Sequence, residues 1–537
     1  MPLHAPRADR CRGGRAGAPT CFSLCGLVAA SLTALIALSG CKPPDPRAAD
    51  ASEQAARLPT PGANDQADAE PDRRSLRDRR REAAESAAEA EAARAAEATR
   101  PVNDDPLLDG GLPSDRRPMG REATDSLRDL VRELPPELNI MPELAGREPD
   151  AAGRGPGTDR TGEGVDTTPR RPNAPGRQHL VKPGQSLISI IEQAGPGDEI
   201  ILWSGTYRGL SLRNVHGAPG RPIVIRGLDP DDPPVIEGGA WGIRMLGASH
   251  VELRDLVIVR PRIDGIEIAP DETTGKPVGP IEIVRVKIED VGERAGRHGV
   301  RIVHGNSIRM REVTVHGWTG SAVELVGCHD VIIERCVFEG RDRGEMIGLR
   351  LRAGTADAVV RRTVMARTGR GGIVLGGRSR DHEHRMLARY ADDGVRWEVA
   401  GITLDQVAVT DCEVGLTLLG LVDGSFNRMS IVDPTRAFMR FGRPQENDSV
   451  PSIRNAAIDT SLFFATGADV VPGEYGAGAS ADGLSLGGNL WWRSGAEWTP
   501  ETDFPGYDSL PQRTNLDPEL DAEQRPQAPD AKGFGAY

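Results

Sequence analysis

Arg244, Glu267, Arg301, Glu324 and Arg350 are five charges of alternating sign, each the third residue of a recurring four-residue phrase. Arg297 and His298 precede one copy of the phrase. A later segment carries Asp381, His382, Glu383, His384, Tyr390, Trp397 and Glu398. Histidine takes and returns protons near neutral pH, and arginine neutralises a carboxylate such as that of a uronic acid. His298, Arg301 and Arg350 are therefore the catalytic candidates. Glu324, Arg297, His382, His384, Trp397 and Glu398 are the ligand-binding candidates. The Asp-His-Glu-His run is weak as a metal site without nearby anchors, and no metal or other cofactor is expected.

These residues matter together only if the fold stacks them. The phrase reads Gly242-Ile243-Arg244-Met245, Gly265-Ile266-Glu267-Ile268, Gly299-Val300-Arg301-Ile302, Ala322-Val323-Glu324-Leu325, Gly348-Leu349-Arg350-Leu351, Gly372-Ile373-Val374-Leu375 and Gly415-Leu416-Thr417-Leu418. Its second residues step by 23, 34, 23, 26, 24 and 43. A base period near 23, broken by insertions, marks a solenoid. Each repeat holds two further short apolar-polar-apolar runs, such as Val331-Ile332-Ile333 and Cys336-Val337-Phe338. Period-two alternation in pieces this short means strands. Three strands per turn predict an all-β, right-handed parallel β-helix, each strand pairing with its counterpart about 4.8 Å away in the next turn. A β-sandwich, the competing reading, predicts hairpins rather than a threefold phrase of fixed order.

In such a solenoid the alternating charges form a ladder. One reading is sheet stabilisation on a solvated face; the other is the polar floor of a groove. The insertions favour a groove. Residues 268–281 and 375–402 lengthen one edge of the first-strand face, and 288–300 lengthens the other. Long loops on a rigid scaffold usually carry function.

The rest of the chain frames this part. The net charge of -13 and 4% aromatic content argue against a nucleic-acid partner. Residues 1–40 combine a basic start, an apolar run over 22–38 and the ending Leu38-Ser39-Gly40-Cys41, a secretory signal. Residues 41–177 are rich in Ala, Glu, Arg and Pro and read as a disordered tether. Residues 178–537 form the β-helix domain, opened by a helix over 183–194 that caps the core. Residues 473–483, rich in Gly and Ala, read as loose, and Trp491, Trp492 and Trp498 as a lid on the last turn. Cys328, Cys336 and Cys412 are expected as thiols.

Three resemblances add to this. The Leu-Ser-Gly-Cys ending resembles the bacterial lipoprotein lipobox, which implies lipidation of Cys41, a membrane partner and a place in the cell envelope, either outer membrane or cell surface. "PGDEIILWSGTY" resembles the opening of pectate-lyase-like and chondroitinase/alginate-lyase-like β-helices. "RHGVRI", "GWTGSAVELVGCHDVIIERCVF", "GGIVLGGRSRD" and "WEVAGITLDQVAV" look like a group of secreted bacterial right-handed β-helix proteins. That group implies the fold, which hosts lyases, hydrolases, epimerases and inert adhesins alike. Where the group has His-Asp-Gly, this chain has Arg297-His298-Gly299.

The expectation is a lipid-anchored monomer that binds polysaccharide in a groove over the first-strand face. The alternatives are a polysaccharide lyase acting on uronate glycans and a non-catalytic structural or adhesion module. The five lysines, Lys42, Lys182, Lys276, Lys287 and Lys532, all lie off that face, so a lyase needs arginine, histidine or tyrosine as its base.

Overall fold

The computed structural model describes residues 176–536 apart from 342–346, 391–394, 445–449, 496, 498–507, 510–512 and 522–523. The signal, Cys41, almost the whole tether and Trp498 lie outside the described residues. No helix among the described residues is long and apolar enough to cross a membrane.

The described chain is a right-handed parallel β-helix. The named strands pair in parallel, turn upon turn. The second residues of the phrase stack in one column: Ile243 on Ile266, then Val300, Val323, Leu349, Ile373 and Leu416. All seven side chains are fully buried. A second inward column, Ile308, Val331, Ala358 and Ile402, follows the next strand of each turn. One strand alone exposes its apolar side; stacking closes those sides into one continuous core.

The chain bends at fixed places. Ser307, Asp330, Asp357, Gly401, Asp423, Asn455 and Gly483 all have positive φ, and each precedes an inward residue of the second strand. Only glycine and short polar side chains adopt this left-handed conformation cheaply. From Ser307 onward the corner is thus written in the sequence as a column of Ser, Asp, Asn and Gly, while His250 holds the same place before Val251.

The N-terminal cap is shorter than its apolar pattern suggests. The helix spans Leu187–Glu192, with Leu187 and Ile191 buried. Pro183 and Gly184 are excluded because Gly184 has φ +89° and Gln185 N–H closes a turn on Lys182 O. The Pro-Gly-Asp phrase has a structural reason. Asp198 is fully buried and accepts Arg177 N–H at 2.8 Å and Gly195 N–H at 2.9 Å.

At the other end the stack continues further than the phrase. Strand Val471–Tyr475 pairs with Ala437–Phe441, so part of the segment read as loose is ordered sheet, and Tyr475 stacks on Phe441 at 5.1 Å. Trp491 stacks on Phe463 at 3.9 Å and is buried, a core residue of the last turns. Leu516 and Leu520 pack against Leu462 and Leu490. Cys328, Cys336 and Cys412 are buried and form no disulfide.

Candidate functional site

The first-strand column carries the expected ladder in register. Arg244 pairs with Glu267, Glu267 with Arg301, Arg301 with Glu324, and Glu324 with Arg350. Arg244 Nε donates to Glu267 Oε2 at 2.8 Å, and Arg301 Nε donates to Glu324 Oε2 at 3.0 Å. The ladder is not a solvated face, however. Glu324 is 2% exposed, and Arg350 and Arg244 are each 7% exposed.

Loop residues 377–390 account for much of this cover. Glu383 accepts Arg352 Nη1 at 2.7 Å, while Arg352 Nε reaches Glu324 Oε1 at 3.0 Å. Three histidines fasten the loop through Nε2–H donors: His304 to Glu383 O at 2.9 Å, His329 to Arg385 O at 2.7 Å, and His384 to Trp397 O at 2.8 Å. Gly377, at φ +122°, lets the chain pass Arg350; a Cβ there would stand 2.7 Å from Arg350 Nη2. Arg352 closes the anionic centre, and only its place two residues after Arg350 hinted at that role.

Several candidates therefore change meaning. His298 Nδ1 accepts the Ser321 amide at 3.1 Å, which puts the proton on Nε2, 3.5 Å from Glu324 Oε2. Burial lowers its pKa to about 4 against the opposing pull of Glu324. His298 is thus a neutral donor, and the lone pair a general base needs is taken by a backbone amide. Trp397 is fully buried with Ala356, Ala400 and Val422, its ring under Arg454 at 4.6 Å, so it is core and not a sugar platform. Glu398 is 3% exposed and accepts Ala353 N–H at 3.0 Å and the Ser379 hydroxyl; it ties the loop to the solenoid rather than facing a ligand. His384 is committed to Trp397 O. Arg297 is buried in its turn, its carbonyl accepting Gly320 N–H at 2.7 Å. His382 is exposed.

What the first face leaves part-exposed is Trp241, Glu267 and Arg301, around the buried Arg244, between loops 270–280 and 290–298. Arg301 is 23% exposed and Glu267 13%. The Arg244 guanidinium lies 4.2 Å over the part-exposed Trp241 ring. Trp241 Nε1–H has no hydrogen-bond partner among the described residues. Asp264, 4% exposed, is buried beside this stretch, and sequence reasoning missed it. It stands before Gly265, where other turns carry Trp241, His298 or Ser321, so residue type alone gives no signal. Its Oδ1 accepts His298 N–H at 2.8 Å. Burial first and Glu267 second push its pKa up to about 7, against Arg301, the His298 amide and Arg297. A carboxyl titrating there can both give and take a proton at neutral pH.

Among the described residues no three His, Cys, Asp or Glu side chains gather as a metal cage. Asp381 pairs with Arg396, and Glu383 with Arg352.

No protein-family model matches the chain, and no curated protein does. Solved structures do. A family 6 polysaccharide lyase from Pseudopedobacter saltans matches with a TM-score of 0.44 at 11% identity, over 67% of this chain and 99% of that one. A mannuronic-acid-specific family 6 lyase from human gut microbiota matches with a TM-score of 0.39 at 14% identity, over 62% and 82%. A periplasmic alginate epimerase matches with a TM-score of 0.38 at 11% identity, over 62% and 83%.

Proposed function

We propose that this chain is a lipid-anchored envelope protein that binds a polysaccharide across the open stretch of its first-strand face. The observation that supports it is the surface made by part-exposed Trp241, Glu267 and Arg301, an aromatic ring, a carboxylate and a cation flanked by two long loops, with the buried Arg244 pairing with Glu267 and lying over the Trp241 ring. An aromatic body offers a flat apolar contact to a sugar ring, and paired polar groups fix its hydroxyls. Cys41 anchors the monomer.

A second reading, catalysis at the same stretch, draws support from Asp264. In a uronate lyase Asp264 takes the C5 proton while Arg301 faces the carboxylate, the C4–C5 double bond forms as the C4–O4 bond breaks, and Asp264 returns the proton to the departing O4, the base role passing from His298 to Asp264. The test presents the full-length lipidated chain to a glycan array and to polyuronates. Binding lost in Trp241→Ala supports the first reading. Ultraviolet absorbance of an unsaturated product, lost in Asp264→Asn, supports the second. No retention on any glycan sinks both. Cys41→Ser moves the chain out of the membrane fraction if the anchor is right.

A further inference from the structure

The second-strand face holds a separate groove far from Arg301 in sequence. It encloses about 680 Å³, within the range of ligand clefts. Its floor is a change in one outward column. In register, that column runs Glu252, Glu282, Arg309, Ile332 and Val359. It then becomes Thr403, Ser425, Ala457 and Ser485. Large side chains give way to small ones, mostly hydroxyls, over four successive turns. Three steps of about 4.8 Å make a floor about 14 Å long, parallel to the solenoid axis.

The walls are polar. Asp423 and Asn455 stand on the left-handed corner column, joined through Asn455 Nδ2 to Asp423 Oδ1 at 2.5 Å. Tyr390, carried by the loop, closes one end with its hydroxyl donating to Asp357 Oδ1 at 2.9 Å. Gly401 makes room for that contact, since a Cβ there would lie 2.3 Å from the Tyr390 hydroxyl.

We propose that this groove binds a neutral, hydroxyl-rich glycan chain lying along the solenoid axis. Hydroxyls and an amide exchange hydrogen bonds with sugar hydroxyls, and carboxylates accept from them. A uronate would bring its charge against Asp357 and Asp423, and Arg389 beside Tyr390 is already paired with Asp357. An extended peptide fits less well. The floor strands are paired on both sides, so their backbone groups are engaged within the sheet and no strand edge is offered for augmentation. The site stands whether or not the first-strand face binds anything.

Affinity electrophoresis of the full chain through gels holding a dextran, a mixed-linkage glucan, a galactomannan or a polyuronate tests this. One neutral polymer retards the chain, and Ser425→Arg and Tyr390→Ala each weaken that retardation about tenfold or more. Trp241→Ala on the first-strand face leaves it intact. Thermal midpoints are measured alongside; Ser485→Lys replaces Ser425→Arg if the latter does not fold. The proposal is overturned if no neutral polymer retards the chain, if only the polyuronate does, or if retardation survives the groove variants. Retardation lost in Trp241→Ala alone overturns this groove while sparing the first-strand face.

Discussion

Arg352 donates its Nε–H to Glu324 Oε1 at 3.0 Å, with Arg301 on the other carboxylate oxygen at 3.0 Å. One buried anion thus joins two cations from the turns on either side of its own, and its pKa, which burial raises, is held well below the usual range by Arg352, Arg301 and Arg350. Breaking a buried pair from one side leaves the partner charge uncompensated, at about 3–5 kcal/mol. Glu324→Gln should therefore cost about 3 kcal/mol in chemical denaturation, not the 0–1 kcal/mol or so of an exposed pair. A loss under about 1 kcal/mol would show the centre to be solvated.

The same centre makes stability fall in acid. A carboxyl with a lowered folded pKa contributes above its unfolded value and loses that contribution as pH falls through the folded one. Denaturation midpoints should drop steeply below about pH 4.5, and Glu324→Gln should flatten that drop. An unchanged acid limb in the variant argues against Glu324 as its source.

Asp264 and His298 bend the pH dependence in opposite senses. Asp264 has a raised folded pKa, so its contribution is full below about 4 and is lost as pH rises through about 7. His298 has a lowered folded pKa, so its contribution is full above about 6.5 and is lost as pH falls through about 4. Asp264→Asn keeps the acceptor for His298 N–H but does not titrate. Its stability relative to the parent should climb by about 4 kcal/mol between pH 4 and pH 7. A flat difference would place the Asp264 pKa near its ordinary value.

Two tryptophans should part company. Trp397→Ala empties a filled space beside Ala356, Ala400 and Val422 and should cost about 3–5 kcal/mol. Trp241→Ala, at the surface, should cost less than about 1 kcal/mol but reduce glycan retention on the first-strand face. Thermal midpoints and array signals on both variants check this, and equal destabilisation would contradict it.

The buried thiols should be silent. Burial pushes Cys328 and Cys336 up to about 12, so neither forms thiolate in the native state. A maleimide reagent should leave both unlabelled until denaturant unfolds the solenoid; native labelling would mean that these turns open.

The order Arg244, Glu267, Arg301, Glu324, Arg350 was legible in the sequence, because a residue's column in a solenoid follows from its place in a local phrase. Period two sets which side chains point out, and the repeat sets which one lies above which. Core positions such as Ile243 and Val300 followed from the same rule. What lies over a face does not. Whether Glu324 meets water or Glu383's partner Arg352 depends on how loop residues 377–390 fold back across earlier turns, and no local pattern encodes that path. Trp397 and Glu398 looked like loop chemistry and became packing for the same reason. Asp264 gained its proton affinity from burial and from Glu267, both consequences of the assembled turn. The second-strand groove arose because four outward residues from distant segments are all small. Each small residue is ordinary alone; only stacking makes them a floor.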